Sequence, residues 1–413
     1  MLTTSPTHLL NMKILRPYHF FTVCLLLVCT IVPIKAENVL GIPGGDFTTV
    51  GIYIKDLEGD TVVYETNSNL CLMPASITKA YTTATAMSLK NEDFRFETKV
   101  YTTGSVADDG TLNGNIVVKA SGDPTLESEQ FPKNQGFISE IVKALKDKGI
   151  KKINGEIILA KVNESGKYDE GAINTWCIDD TEYKYGAGIF DFNWSGNYQM
   201  KYPFDTFKKR LIERLKANGI TYSGKKSAAT NRTLLMTHES PVIDDILKNL
   251  MHRSDNMFAE GMLRAIGEPY GPKNNALTKE SNLWKSRGLQ PQYVNVLDGS
   301  GLSRANAISP VYMASMLEWM ARSDMAQRYV NVFPVAGESG TMRSFLAQTP
   351  LKGRLAMKTG SVNNVQCYAG YLTDSDGQPT HVVVVMVNNF FCQRDQVKQA
   401  IQKMLLNKLS PWI

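Results

Sequence analysis

Apolar and polar residues first alternate and then cluster along the chain. Residues 47–54 and 61–64 are rich in β-branched side chains and flank the turn Leu57-Glu58-Gly59-Asp60, a pattern that predicts a β-hairpin. Residues 80–90 contain good helix formers without glycine or proline, and they predict a helix. Pro74 ends the preceding segment, because a residue before proline avoids helical backbone angles.

The pattern changes over residues 97–231. Short β-branched runs alternate with glycine and aspartate turns, and they predict strands at 99–103, 115–119 and 155–159. Apolar residues at helical spacing predict helices at 136–148 and 201–218, whereas residues 176–194 are irregular and rich in aromatic side chains. This texture indicates a β-rich insertion in the chain.

From about residue 232 longer elements return. The pattern predicts helices at 241–253, 256–266 and 394–409. Before the last helix, residues 365–373 and 382–387 flank the turn Asp376-Gly377 and predict a second hairpin. Strands, helix, insertion, helices, hairpin and helix in this order predict an α+β fold: an antiparallel sheet with terminal helices on one face, and a helical subdomain.

Candidate chemistry enters with Ser76-Ile77-Thr78-Lys79. Positions i and i+3 share a helix face, so Lys79 is expected beside the Ser76 hydroxyl in the first turn of the predicted helix. An amine in that place can take the proton of a serine nucleophile. A helix-capping serine followed by a solvated lysine has the same spacing, and Ser223-Gly224-Lys225-Lys226 repeats it in an expected exposed turn. The pair alone does not decide between the two interpretations.

Two further motifs lie in the returning part of the chain. Ser254-Asp255-Asn256 lies between two predicted helices, and Lys358-Thr359-Gly360-Ser361 begins a strand at the entry to the last hairpin. Each has an ordinary structural explanation, a helix N-cap for the first and an exposed strand-edge turn for the second. The three motifs in this order, each in the structural context that its role requires, are the set found in penicillin-binding proteins and class A β-lactamases. Together they predict one catalytic cleft.

On these motifs the chain resembles the low-molecular-mass class C penicillin-binding proteins, the D-alanyl-D-alanine carboxypeptidases and endopeptidases. The resemblance implies a β-lactamase/transpeptidase-like fold, and the long spacing between Ser76 and Ser254 implies an inserted β-rich accessory domain. It extends from about residue 51 to residue 389. Further similar stretches are Gly122-Asp123-Pro124-Thr125-Leu126, Tyr185-Gly186-Ala187, Met257-Phe258-Ala259-Glu260 after the second motif, Asp298-Gly299-Ser300-Gly301-Leu302-Ser303-Arg304 and Gly337-Glu338-Ser339-Gly340-Thr341.

The resemblance implies a catalytic group of four residues. Ser76 would attack the carbonyl between the two D-alanines of a peptidoglycan stem peptide and form an acyl-enzyme. Lys79 would be the general base, with a pKa lowered by burial and a neighbouring cation. Ser254 would relay a proton to the leaving amine, and Asn256 would hydrogen-bond both the substrate amide and Lys79.

A substrate-binding group is implied as well. Lys358, Thr359 and Ser361 would bind the terminal carboxylate of the peptide, and Gly360 would let the strand backbone approach closely. The backbone N–H groups of Ser76 and Ser361 would form the oxyanion hole. β-Lactam antibiotics would be trapped at the acyl-enzyme step and act as inhibitors.

The N-terminal residues carry an export signal rather than part of the fold. Lys13 and Arg16 precede an apolar run over 20–34, and Lys35-Ala36-Glu37 follows, as in a signal peptide cleaved near Ala36. An uncleaved anchor and a lipoprotein at Cys29 are the alternatives. We therefore expect an exported protein of the periplasm or cell envelope, with peripheral membrane contact left open. The predicted division is a signal peptide at 1–36, a discontinuous DD-peptidase domain at 37–96 and 232–413, and an inserted accessory domain at 97–231.

The charge pattern and the missing motifs argue against several other functions. The formal charge is +5 without a long basic run or basic-aromatic interleaving, so no nucleic-acid partner is expected. Metallohydrolase motifs such as H-E-x-x-H are missing, and no cofactor is expected. The cysteines after residue 36 form no C-x-x-C pair, and their spacing leaves disulfides and free thiols equally open: Cys71, Cys177, Cys367 and Cys392.

Two rival functions use the same acylation apparatus. A β-lactamase would need a residue that activates water against the penicilloyl-enzyme, and no glutamate lies in a clear context for that role. A penicillin-recognising sensor would need a transmembrane signalling half, and no second apolar span follows residue 36. The sequence therefore favours a cell-wall peptidase.

Overall fold

The computed structural model describes residues 38–128, 130–160, 203–267 and 273–413. The predicted irregular segment at 176–194 lies outside these residues. The strands are β1 Thr49–Asp56, β2 Thr61–Thr66, β3 Glu97–Thr103, β4 Ser105–Val106, β5 Thr111–Asn113, β6 Ile116–Lys119, β7 Lys152–Ile153, β8 Ile157–Leu159, β9 Thr221–Tyr222, β10 Arg232–Glu239, β11 Val294–Asn295, β12 Ala307–Ile308, β13 Leu355–Val362, β14 Val365–Thr373 and β15 Pro379–Asn388. The helices are α1 Thr78–Leu89, α2 Phe137–Asp147, α3 Pro203–Ala217, α4 Ile243–Arg253, α5 Asn256–Ile266, α6 Lys273–Ser286, α7 Pro310–Ala321, α8 Ala326–Val330 and α9 Arg394–Leu409.

The main sheet has five strands in the order β13-β14-β15-β1-β2, and every neighbouring pair is antiparallel. Its central strand β15 is a run of buried valines, because both faces of the sheet are covered. Successive side chains point to opposite faces, so they enter two separate cores. Val382, Val384 and Met386 face one core, and Val383, Val385 and Val387 face the other.

Helices cover the two faces of this sheet unequally. The first core joins the sheet to α1 and to the helices α4 to α8. The second core joins it to α9, through Val397, Ile401, Leu405 and Leu409. The predicted α+β fold with an antiparallel sheet is confirmed, but the helices flank both faces rather than one.

A second assembly of short strands and two helices has its own core. Its sheets run β10-β3-β6-β8 and β4-β5-β7-β9, and α2 and α3 pack against them. Phe137 and Phe207 stack between the two helices with ring centroids 5.7 Å apart. The first sheet includes β10, so it continues past residue 231, where the inserted domain was expected to end. The division of the chain into domains stays a prediction.

Most predicted elements lie within a few residues of their predicted bounds, but two long helices, α6 and α7, were not predicted. One of them, α7, has ordinary start signals: Ser309 Oγ accepts a hydrogen bond from Tyr312 N at 3.2 Å, and Pro310 is its first residue. The other is α6, which is polar over much of its length. Within the described ranges, no helix is both long and apolar enough to cross a bilayer.

Candidate active site

Ser76 lies in a tight 3₁₀ turn, Ala75–Ile77, that leads directly into α1. Ala75 has a φ of 48°, in the left-handed region that residues other than glycine rarely adopt. Such a backbone costs roughly 1 kcal/mol or more, and the surrounding packing must hold it. Ala75 is fully buried, and its carbonyl accepts a hydrogen bond from Thr78 Oγ1 at 2.9 Å. The turn presents Ser76 at the edge of a cleft.

Lys79 lies one turn further along, with its ammonium group against Ser76. Its side chain is fully buried, and Nζ lies 2.8 Å from Ser76 Oγ. The same Nζ donates to Asn256 Oδ1 at 2.7 Å and to the Ser300 carbonyl at 2.6 Å. The Asn256 Oδ1 atom and the Ser300 carbonyl oxygen are acceptors only, so neither can donate a hydrogen bond to the amine. A neutral Lys79 amine would therefore donate to Asn256 and Ser300 and turn its lone pair toward the Ser76 hydroxyl.

The junction of α4 and α5 brings the second motif to this place. Ser254 has a φ of 59° and ends α4 in the left-handed conformation typical of a helix C-terminus. Asp255 caps α5, since its Oδ1 accepts a hydrogen bond from Phe258 N at 3.0 Å. The capping explanation is thus correct for Asp255, while the neighbouring Ser254 and Asn256 point to the two lysines.

The third motif lies inside β13 rather than at its beginning. The strand begins three residues earlier, at Leu355, because it pairs with β14 along its full length. Lys358 is fully buried, and its Nζ donates to Ser254 Oγ at 2.9 Å and to the Thr359 carbonyl at 2.7 Å. The exposed strand-edge explanation is therefore wrong for Lys358.

The two lysines have strongly altered proton affinities. Burial lowers the pKa of Lys79 to about 8, against the opposing attraction of Asp298, Glu260 and Asp255. Burial also lowers the pKa of Lys358 well below its ordinary value, and the charge of Lys79 lowers it further. The two lysines share this site, so a charge on either one lowers the proton affinity of the other, as was expected for Lys79. Two ammonium groups in one buried site repel each other, so a second proton binds to the pair less tightly than the first.

Gly360 allows β13 to approach the serine turn. A Cβ atom on Gly360 would lie 2.6 Å from the Pro74 carbonyl oxygen and 3.1 Å from Ser76 N. No side chain fits in that space. The backbone after Gly360 thus runs beside the Ser76 N–H group, the arrangement that an oxyanion hole between Ser76 and Ser361 needs.

Thr359 and Ser361 point to the open side of the cleft. Thr359 Oγ1 donates to Thr341 Oγ1 at 2.9 Å, and Ser361 Oγ donates to Gln366 Oε1 at 2.8 Å. Arg394, the first residue of α9, also donates to Gln366 Oε1 at 3.1 Å. The two hydroxyls suit a carboxylate ligand, whereas the Arg394 guanidinium is held by Gln366 and by the Val362 and Val365 carbonyls.

The structure brings together all eight predicted site residues, and it adds others that the sequence did not single out. The Ser300 carbonyl, Thr341 and Gln366 contact them directly. Ser300 and Thr341 belong to stretches quoted only for their resemblance to the family. No local signal marks Gln366, because its place depends on strand pairing across β13 and β14.

The cleft encloses about 600 Å³ and extends well beyond Ser76. One wall is formed by the motif residues and the other by the start of α9. The lining residues include Ser76, Ser254, Thr359, Ser361, Gln366, Tyr368, Asp395, Lys398 and Gln399. The cleft therefore has open space between the motif residues and α9, beyond the Ser76 hydroxyl.

Metal ligands and disulfides are not evident among the residues that the structure describes. No group of three or more histidine, cysteine, aspartate or glutamate side chains is placed to hold a metal ion there. Cys71, Cys367 and Cys392 are free thiols, and Cys177 lies outside the described residues.

A family comparison decides the class of enzyme. The model of the D-Ala-D-Ala carboxypeptidase 3 (S13) family matches residues 43–201 and 195–408. The chain belongs to this S13 family. It is therefore a hydrolase of the serine type that acts on D-Ala-D-Ala, and the expected family is confirmed.

Curated relatives agree with the S13 assignment. The chain is 26% identical over 409 residues to the D-alanyl-D-alanine carboxypeptidase DacB of Haemophilus influenzae, covering 80% of this chain and 84% of that protein. It is 24% identical over 348 residues to the carboxypeptidase DacB of Mycolicibacterium smegmatis, covering 79% of this chain and 73% of that protein.

Solved structures show the fold of S13 enzymes and their neighbours. Penicillin-binding protein 4 (DacB) of H. influenzae matches with a TM-score of 0.74 at 22% identity, covering 91% of this chain and 99% of that one. A predatory endopeptidase of Bdellovibrio bacteriovorus matches with a TM-score of 0.57 at 17% identity, covering 89% of this chain and 93% of that one. The predicted β-lactamase/transpeptidase-like fold is confirmed.

Proposed function

We propose that Ser76 is the nucleophile and Lys79 the general base of a D-Ala-D-Ala carboxypeptidase and DD-endopeptidase of peptidoglycan stem peptides. The observation that carries this proposal is the position of Lys79 Nζ, 2.8 Å from Ser76 Oγ and 2.7 Å from Asn256 Oδ1. Lys358 Nζ donates to Ser254 Oγ at 2.9 Å. Nucleophile, base, relay and carboxylate site are thus in one place.

Substrate binding prepares the base. The terminal carboxylate of the peptide binds to the hydroxyls of Thr359 and Ser361, close to Lys358. A negative charge there stabilises the ammonium form of Lys358, and the charged Lys358 lowers the proton affinity of Lys79. The single proton of the pair then resides on Lys358, and Lys79 has a free lone pair.

Acylation then proceeds through two proton transfers, from Ser76 to Lys79 and from Lys79 to the leaving nitrogen. Ser76 Oγ bonds to the carbonyl carbon of the penultimate D-alanine while its proton passes to Lys79. The backbone N–H groups of Ser76 and Ser361 bind the oxyanion, each contributing about 3 kcal/mol. Ser254 carries a proton from Lys79 to the leaving nitrogen, and the C–N bond breaks. Water hydrolyses the acyl-enzyme and restores the Ser76 hydroxyl.

β-Lactams follow the same acylation and remain bound, since the leaving amine stays tethered in the opened ring. Penicillin-binding protein 4 of H. influenzae, whose fold this chain shares, was solved in complex with a β-lactam, which supports this proposal. Peptidoglycan lies outside the cytoplasmic membrane, so we propose export of the chain to the periplasm or cell envelope, with residues 1–36 as the signal peptide.

Release of D-alanine from a stem pentapeptide tests the function. The purified protein should release D-alanine and bind a fluorescent penicillin covalently, and Ser76→Ala should do neither. Fast penicillin hydrolysis without D-alanine release would favour a β-lactamase instead. Mass spectrometry of cross-linked muropeptides, before and after treatment, separates carboxypeptidase from endopeptidase activity.

A further inference from the structure

A loop of residues 298–303 lies directly below the catalytic turn. The Ser300 carbonyl accepts a hydrogen bond from Lys79 Nζ at 2.6 Å, and the loop is packed so tightly that a side chain on Gly301 would overlap the Ala75 carbonyl. Thr82 Oγ1, on α1, donates to the Gly299 carbonyl at 3.0 Å. Any movement of this loop would therefore change the position of the Lys79 amine.

Two buried carboxylates hold the loop by its backbone. Glu260 Oε1 accepts from Ser300 N at 2.9 Å, and Glu260 Oε2 accepts from Gly299 N at 3.3 Å. Asp298 accepts from Gly301 N at 2.7 Å and from Ser303 N at 2.6 Å. Glu260 is 2% exposed, far below the usual exposure of a glutamate, and it belongs to the same helix as Asn256.

We propose that Glu260 is a positioning residue, which fixes the Ser300 carbonyl against Lys79 and supplies negative charge that stabilises protons on the Lys79–Lys358 pair. The proposal rests on the proposed function, because it assumes that Lys79 is the base. Glu260 acts through the peptide unit between Gly299 and Ser300 and does not touch the substrate. Its charge balances the cost of keeping an ammonium group in a buried site.

The charged groups around Lys79 give the sign of the effect. Asp298, Glu260 and Asp255 raise the pKa of Lys79, and Lys358 is the cation that shares its site. Acylation needs one proton on the pair, so the rate falls at low pH, where a second proton binds, and also above about pH 8, where the last proton leaves. Removal of the Glu260 charge weakens the binding of both protons to the pair, so both declines move to lower pH.

Glu260→Gln tests this in the full-length protein. We measure the second-order rate of fluorescent-penicillin labelling at Ser76 by stopped flow, at a series of pH values from about 4.5 to about 7.5. The expected result is a rate at least tenfold lower at the optimum, and a low-pH decline displaced downward by about one pH unit. The shape of the profile does not depend on the fraction of folded enzyme, so partial misfolding leaves the readout intact.

Glu280→Gln is the matched control. Glu280 is 1% exposed on α6 and accepts a hydrogen bond from Thr85 Oγ1 at 3.1 Å. Burial raises the pKa of Glu280 to about 8, so this carboxyl is protonated through the lower part of the pH range and its replacement removes little charge there. The low-pH decline should stay where it is in the wild-type protein.

The outcomes separate the proposal from the function on which it rests. A wild-type pH profile in Glu260→Gln, or an equal displacement in Glu280→Gln, overturns the role of Glu260 alone. Labelling that survives Ser76→Ala overturns the proposed function. Should Glu260→Gln fail to fold, Glu260→Asp retains the charge at a shorter reach: a lower rate with an undisplaced decline supports the proposal, and a displaced decline contradicts it.

Discussion

At the scale of single residues, the site depends on two lysines that are costly to bury. Lys79 and Lys358 are fully buried, and their charges are opposed by desolvation. Hydrogen bonds offset part of this desolvation, because both amines have acceptors within reach, including Ser76, Asn256 and Ser254. A group with a depressed lysine pKa destabilises the folded state at pH 7, since the unfolded chain binds its proton more tightly.

The cost of burying the Lys358 amine leads to a prediction for Lys358→Met. Methionine fills a similar volume without an amine to desolvate, so the unfolding free energy at pH 7 should rise by about 1 kcal/mol. Acylation by penicillin should fall roughly a hundredfold, because the carboxylate loses its ammonium partner. Thermal melting and labelling rates measure the two effects. A less stable protein with wild-type labelling would remove Lys358 from the site.

At the scale of elements, the decisive contact is between β13 and the serine turn. The strand can approach Ser76 only because residue 360 has no side chain. Alternate residues of a strand point to opposite faces, so Lys358 points into the protein while Thr359 and Ser361 point toward the cleft. One glycine and one strand register thereby set the distance between nucleophile and carboxylate site.

Gly360→Ala tests that contact. Its Cβ would meet the Pro74 carbonyl at 2.6 Å, so the strand must move away from the turn and the oxyanion hole must widen. We expect acylation to fall by about 10²- to 10³-fold. Gly136→Ala is the control, because its Cβ would meet only Glu140 Oε1, at an ordinary 3.6 Å. Wild-type acylation in Gly360→Ala would contradict the oxyanion-hole assignment.

The sequence predicted the elements and motifs better than their contacts. Ser76 and Lys79 are one helical turn apart, so local periodicity was enough to place them together. Gln366 and the Ser300 carbonyl could not be found that way, because their positions depend on strand pairing and on a loop held by the distant Glu260 carboxylate. The polar helix α6 also escaped notice, since its weak apolar stripe gives little periodic signal.

At the scale of the whole molecule, residues 122–131, between β6 and α2, contact the helix that begins at Asn256. Gln130 Nε2 donates to Asp255 Oδ2 at 2.8 Å, and Phe131 packs on Phe258 with ring centroids 5.6 Å apart. Pro124 lies so close to α5 that a Cβ on Gly261 would be 2.9 Å from its ring. The stretch 122–131 therefore supports the second motif from outside the main sheet.

Gln130→Ala tests whether this support matters for catalysis. Asp255 would lose one charge-assisted hydrogen bond but keep its bond to Phe258 N, so acylation should fall roughly tenfold while the protein stays folded. Asn154→Ala is a suitable control, because it removes only exposed hydrogen bonds, one to Asn113 at 3.2 Å and one from Ser223 Oγ at 3.5 Å. Equal acylation rates in both variants would show that the contact is structural only.

The identity of the acylated residue is the central claim of this account. The most direct measurement is peptide mapping by mass spectrometry after reaction with benzylpenicillin. We predict one penicilloyl group per protein, located on the peptide that contains Ser76, and none in Ser76→Ala. An adduct on another residue, or an unmodified protein that nonetheless cleaves D-Ala-D-Ala, would contradict the account.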